Sequence, residues 1–181
     1  ELPGAEADRG AKGWSFIVDA LLSLGLARLT EGETAFINVS ESVLLQGVGD
    51  VFDPQSLVVE LSNSVRPTTE VLAECRNLKA RGFRIALDNY TDGSLPGALM
   101  ELADVVKVDV LQSAERIDVI VGELAPRGVL LLAEKVESAE MHARCRDLGF
   151  ELFQGFHYFR PEPSKDEDLG MTGIAIMRLL S

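Results

Sequence analysis

Basic residues are in short supply: 17 Lys and Arg stand against 29 Asp and Glu, a formal net charge of −12. That balance argues against DNA or RNA as a partner, because phosphate-backbone binding rests on clustered cations that displace counterions. A small phosphodiester stays within reach, since a bound divalent cation reverses the sign of a carboxylate-lined pocket. Long apolar runs are missing too. None approaches the roughly 18 residues that would cross a bilayer, so the sequence holds no membrane segment. Cysteine is nearly absent, with only Cys75 and Cys145. Both lie in helix-like stretches without the CxxC spacing of a redox pair, and they read as small buried packing residues. No basic start followed by an apolar segment announces a secretory signal, so a reducing cytoplasm is the expected location. Of two histidines, His142 sits in a helix-like stretch and His157 in an aromatic run; both read as surface or packing side chains rather than as ligands or bases.

What is present is an alternation of β-rich apolar runs with amphipathic helical stretches, the mark of a parallel sheet built from β-α units. Residues 16–26 have helical spacing. A strand follows at Ala35–Val39, a short helix at 42–45, a strand at Leu57–Leu61 and a helix at 68–80 with Thr68 as N-cap. The pattern continues with strands at 83–88, 105–110, 129–136 and 152–154, and with helices at 95–102, 114–124 and 138–148. The last helix has a start at Ser138 and a stop at Gly149. Six strands are legible, and 181 residues fall short of the roughly 200–250 of a complete eight-unit barrel. An α/β, TIM-like barrel lacking or truncated at strand one is therefore expected. Residues 1–163 form the expected barrel domain. Residues 164–181 read as a linker and a C-terminal helix, with 171–180 either docking on the barrel or leading to a second domain.

Polar residues interrupt the apolar runs at one place each. Asn38 closes AFIN, Glu60 closes LVVE, Asp88 closes RIALD, Lys107 and Asp109 sit in VVKVD, Glu134 closes LLLAE and Gln154 closes ELFQ. Each lies at the carboxyl end of its strand, where active sites of β/α barrels are built. A single polar strand end more often satisfies backbone groups or caps a helix. Six successive strands with the same habit point instead to a shared hydrated or metal-containing pocket, because such groups are costly to bury unpaired. Amide and carboxylate oxygens are hard donors that suit Mg²⁺, Mn²⁺ or Ca²⁺, and no Cys or His at these ends favours zinc.

In order and spacing, NVS at Asn38, VVELSNS at Glu60, ALDNYTDG at Asp88, VKVD at Lys107, AEKVE at Glu134 and QGF at Gln154 resemble the successive motifs of the EAL domain family. The resemblance runs from about residue 36 to 161. The phrases AFIN, ALDNY, LADVVKVD and LLAEKVE are most similar to the branch fused to HDOD domains. It implies a barrel of bacterial cyclic di-GMP signalling, with Asn38, Glu60, Asp88 and Asp109 in weak or vestigial metal-binding positions and Mg²⁺ or Mn²⁺, if any, as the ion. It further implies that Lys107 orients the attacking water, Glu134 supports the metal site or base, Glu137 steadies the loop, and Gln154 contacts water or phosphate. The partners it implies are cyclic di-GMP, a protein or adjacent HDOD-type domain, and a second copy of the chain.

Departures from the family pattern fall on its acids. The second Asp of its Asp-Asp pair is Asn89, the second acid of its E-x-x-E is Asn63, and the Gly of its E-G-V-E is Lys135. The Glu of the EAL signature is not recognisable; Glu1 is either its remnant or an unrelated residue. Because one misplaced ligand or charge-stabilising group typically costs about a hundredfold in rate, several together predict an inactive sensor or interaction module. A working phosphodiesterase producing pGpG is the alternative. An unrelated barrel acting on a phosphorylated metabolite is a third reading, disfavoured because no Gly-rich phosphate loop follows the late strands unless Gln154-Gly155 serves.

Overall fold

Five apolar runs rich in Val, Ile, Leu and Phe set up the sheet, because such side chains suit a pleated surface buried on both faces. In the computed structural model, which describes residues 30, 34–91, 96–158 and 174–176, these runs become β1 (Ala35–Val39), β2 (Leu57–Leu61), β3 (Arg84–Leu87), β4 (Val105–Asp109) and β5 (Leu130–Glu134). They are joined by β6 (Leu152–Phe153) and β7 (Ile174–Ile176) in the order β6-β5-β4-β3-β2-β1-β7. Neighbours from β1 to β6 all pair in parallel. The sheet curls as a partial barrel of the expected α/β class.

Among the described residues the α-helices are α1 (Glu41–Leu45), α2 (Thr69–Ala80), α3 (Gly97–Met100), α4 (Ile117–Leu124) and α5 (Ala139–Asp147). Three begin at side-chain caps. Ser40, Thr68 and Ser138 each accept a hydrogen bond from the amide three residues on, at Val43, Val71 and Met141. The α5 segment ends at Gly149 with φ +98°, a left-handed value that glycine adopts without steric cost.

Period-two alternation divides each strand between two faces. One face carries Ile37, Val59, Ile85, Val108 and Ala133 into the main core beneath the helices. The other carries Phe36, Val58, Ala86, Val105 and Leu132, a second apolar layer that fills the concave side, with Leu130 and Leu152 packed on it. Fully burying each Val, Leu, Ile or Phe contributes roughly 1.5–3 kcal/mol, so both faces hold the sheet in its curl.

Several boundaries differ from the sequence reading for local reasons. The helix expected over 114–124 starts only at Ile117, because the chain before it is spent in turns: Asp109 Oδ1 accepts from the amides of Leu111 and Gln112, Ser113 N donates to Asp109 O and Arg116 N to Ser113 O. The strand expected over 129–136 stops at Glu134, where Lys135 turns to φ +60°. The helix expected over 171–180 is corrected at its centre: Ile174–Ile176 is a strand antiparallel to β1. Its two isoleucines favour extended backbone, and the open edge of β1 offers unpaired N–H and C=O groups. Glu1, the helix expected at 16–26 and the linker from 164 lie outside the described residues.

Candidate functional site

The residues of the second apolar layer share their side of the sheet with everything polar that the strands carry. Counting by two from Phe36, Val58, Ala86, Val105, Leu132 and Leu152 reaches Asn38, Glu60, Asp88, Lys107, Glu134 and Gln154, and one step further on β4 reaches Asp109. The parallel register carries these to one end: Asn38 lies opposite Glu60, and Asp109 opposite Glu134. Ladder bonds continue past the strand ends and fix the rim. Asp88 N donates to Leu61 O, Tyr90 N to Lys107 O, Val110 N to Glu134 O, and Val136 N to Gln154 O.

Lys107 is the hub. Its Nζ lies 2.9 Å from Glu60 Oε2, 2.7 Å from Glu134 Oε1 and 3.7 Å from Asp88 Oδ1. It is 3% exposed. Asn38 Nδ2 donates to Glu60 Oε1 at 3.3 Å, so the amide fixes the oxygen that Lys107 leaves free. Burial alone would push the Lys107 ammonium down, but the carboxylates of Glu60 and Glu134 outweigh it and hold the group above its ordinary value. Burial raises Glu60 and Glu134, and mutual repulsion with Asp88 adds to this against the pull of Lys107. Three carboxylates around one ammonium leave the inner cluster negative, which is the field that attracts a cation.

Asp109 forms a separate station. Burial works against its carboxylate, yet Lys135 and the amides of Gln112 and Leu111 outweigh it and hold the group below the usual range. Lys135 bonds Oδ2 while the two amides bond Oδ1 at 3.0 Å each. Among the described residues, two non-glycine residues adopt left-handed backbone, Asn89 at φ +53° and Lys135 at φ +60°. Both border the mouth. Such a conformation costs roughly 1–2 kcal/mol in a residue with a β-carbon, and Asn tolerates it better than Lys because its short side chain bonds locally.

Gln154 reaches the mouth through a close packing of loops. A β-carbon on Gly155 would collide with the backbone of Val136, so only glycine lets the two loops meet. His157 N donates to Val136 O at 3.0 Å and completes the junction. Gln154 Oε1 is buried without a hydrogen-bond partner among the described residues. Beneath it, the His142 ring packs edge-on against Phe153 at 4.5 Å and against Tyr158 at 5.7 Å, a packing role as the sequence suggests. Glu137 is exposed at the end of the same loop, and Asn63 is exposed in the turn after β2.

Asn38, Glu60, Asp88 and Glu134 offer the hard oxygen donors that suit Mg²⁺ or Mn²⁺. With Lys107 among them, however, no three acidic, His or Cys side chains in the described residues converge into a cation cage. Among the described residues the donor set, with the Lys107 ammonium at its centre, does not fit a two-ion centre. Single-sequence reasoning placed these residues at one mouth but missed the Lys135 to Asp109 pairing. The only available signal was a lysine following Glu134 at the end of a strand.

Comparison with known proteins agrees with this geometry. The chain is 31% identical over 172 residues to the uncharacterized protein YuxH of Bacillus subtilis, covering 91% of this chain and 42% of that one. It is 26% identical over 177 residues to the cyclic di-GMP phosphodiesterase CdgJ of Vibrio cholerae, covering 96% and 40%. The chain thus spans about two fifths of the length of the curated relatives it matches. Among solved structures, the EAL domain of FimX from Pseudomonas aeruginosa, bound to c-di-GMP, superimposes with TM-score 0.63 at 22% identity, covering 93% of this chain and 80% of that one. The family model described as "EAL domain" matches residues 41–161, and the chain belongs to that family.

Proposed function

We propose that this chain is a degenerate EAL domain of bacterial cyclic di-GMP signalling, a sensor or protein-interaction module that does not hydrolyse the nucleotide. One observation carries the reading. The Lys107 ammonium sits within 3.7 Å of three carboxylates, Glu60, Asp88 and Glu134, while Asp109 is engaged by Lys135. Phosphodiester hydrolysis at ordinary rates needs paired ions that activate a water and clamp the developing charge. Asn89 and Asn63 supply no charge where the family pattern has acids, so the donors for a second ion are too few.

In this reading Asn38, Glu60 and Asp88 hold at most one Mg²⁺ or Mn²⁺, with Asp109 a vestigial ligand. Lys107 and Gln154 face the phosphodiester, Glu134 stands beside them, and Glu137 steadies the loop. The chain works in the cytoplasm with an adjacent HDOD-type domain or another protein partner, or as a homodimer. The family branch is that of the HDOD fusions, on the strength of the phrases AFIN, ALDNY and LLAEKVE.

A second reading, an active phosphodiesterase, is favoured by one fact: Asn38, Glu60, Asp88, Lys107, Glu134 and Gln154 all stand on one side of one sheet end. In that case Asn38, Glu60 and Asp88 would hold the ion, which would supply water activation and charge neutralisation, and the net reaction adds water across one P–O bond to a ribose oxygen to give linear pGpG. Calorimetry with cyclic di-GMP, with and without Mg²⁺, separates the two. The proposed sensor binds with a small dependence on Mg²⁺ and returns the nucleotide intact; binding that requires Mg²⁺ and ends in pGpG sinks it.

A further inference from the structure

Asp109 and Glu134 are register partners in the parallel β4–β5 ladder, so both belong to the same side of the sheet. Asp109 is 3% exposed, and a carboxylate taken from water needs partners within the chain. The chain supplies one: Lys135 turns its backbone to φ +60° and bonds Asp109 Oδ2. A β-carbon-bearing residue keeps such a conformation only where its surroundings hold it there, and such strain gathers at functional sites. Two loops meet in this one contact. Lys135 leads from β5 to α5, and Asp109 anchors the turn from β4 to α4 through the amides of Leu111 and Gln112. The side chain of Lys135 is 62% exposed while that of Asp109 is 4% exposed, so the lysine reaches down from the solvent side. Its ammonium also stands in the fields of Glu134 and Asp88.

We propose that Lys135 is a tethered cation, which neutralises Asp109 and the outer rim of the mouth in place of a soluble ion, so that divalent metals compete with an ammonium already attached to the chain. Attachment gives it a high effective concentration that free Mg²⁺ or Mn²⁺ at cellular levels does not match. The inner group of Asn38, Glu60 and Asp88 stays open to one ion, and the two loops are clamped whether or not that ion is present. The inference rests on the reading of this mouth as a depleted metal site and adds the group that fills the depletion.

The test is Mn²⁺ binding to the full chain, stripped of metal and free of nucleotide, followed by the loss of the free-ion electron paramagnetic resonance signal. Wild type, Lys135→Met, Lys135→Gly and Lys135→Arg are compared after circular dichroism establishes the fold. Removing a positive charge a few ångströms from the rim carboxylates is expected to tighten Mn²⁺ binding about tenfold in the Met and Gly variants, or to add one bound ion. The Arg variant behaves as wild type. Lys135→Gly relieves the left-handed strain and carries the comparison should Lys135→Met not fold. Equal affinity and stoichiometry in wild type and Lys135→Gly overturns the proposal, as does tightening in the Arg variant. Cyclic di-GMP binding is read separately: its loss strikes the proposed function and leaves the ion count standing.

Discussion

The Nζ of Lys107 lies 2.7 Å from Oε1 of Glu134, joining β4 to β5 in the middle of a polar layer that rests directly on Leu132 and Val105. The same ammonium reaches Glu60 on β2, so one buried cation spans the curl of the sheet. Replacing Lys107 by Met leaves Glu60, Asp88 and Glu134 facing one another without compensation. Breaking one partner of a buried charge cluster costs about 3–5 kcal/mol, and urea unfolding at pH 7 is expected to show a loss of that order. An unchanged midpoint would mean that the cluster is hydrated and contributes nothing.

The same groups set the pH dependence. Glu60 and Glu134 have raised carboxyls in the folded chain, so they contribute stability below the ordinary glutamate value of about 4.3 and lose it as pH rises through their folded values. Asp109 is depressed and has the opposite sign: its contribution is present above about 3.9 and is lost as pH falls through its lower folded value. Unfolding free energy, measured in urea with chelator present, is therefore expected to rise as pH falls from 7 towards the ordinary glutamate value of about 4.3 and to fall again below about 3.9. Glu134→Gln removes part of the rise. A steady decline from pH 7 to pH 5 in wild type contradicts this assignment.

Gly155 ties the loop bearing Gln154 to the loop bearing Lys135. Gly155→Ala places a β-carbon against the Val136 backbone, and the loops must part. A loss of about 1–3 kcal/mol is expected, together with faster amide hydrogen exchange at Val136 and His157, whose N–H groups make the junction. Unchanged protection at both amides would show that the junction does not depend on the missing side chain.

At the amino end of the strands Asp104 does structural work. Its carboxylate bonds Lys79 Nζ at 2.6 Å and the Ile85 amide at 2.9 Å, linking α2, β3 and the approach to β4. Asp104→Ala is expected to cost about 1–3 kcal/mol while leaving nucleotide affinity unaltered, because this end of such a fold supports stability and the other end carries chemistry. A matching loss of nucleotide affinity in folded protein would break that division.

Much of this is legible in the sequence. The runs AFIN, LVVE, RIALD, VVKVD and LLLAE are apolar enough to be strands, and each places its polar residue on the same parity, so the common mouth follows from period two. The caps at Thr68 and Ser138 were equally plain. What a single sequence could not supply was pairing in three dimensions. That Lys107 serves Glu60 and Glu134 together, or that Asp109 is held by Lys135 and two amides, depends on register between strands and on a left-handed turn at a lysine. No propensity favours such a turn. The strand Ile174–Ile176 looks helical in sequence because a short apolar stretch fits both periods, and only pairing with the edge of β1 decides between them.

The central claim, that this mouth binds without cutting, is most directly tested by incubating the folded chain with cyclic di-GMP in excess Mn²⁺ and separating the products by chromatography. The account predicts that the nucleotide is recovered intact. Accumulation of linear pGpG over many turnovers, abolished by Glu60→Gln, would contradict it.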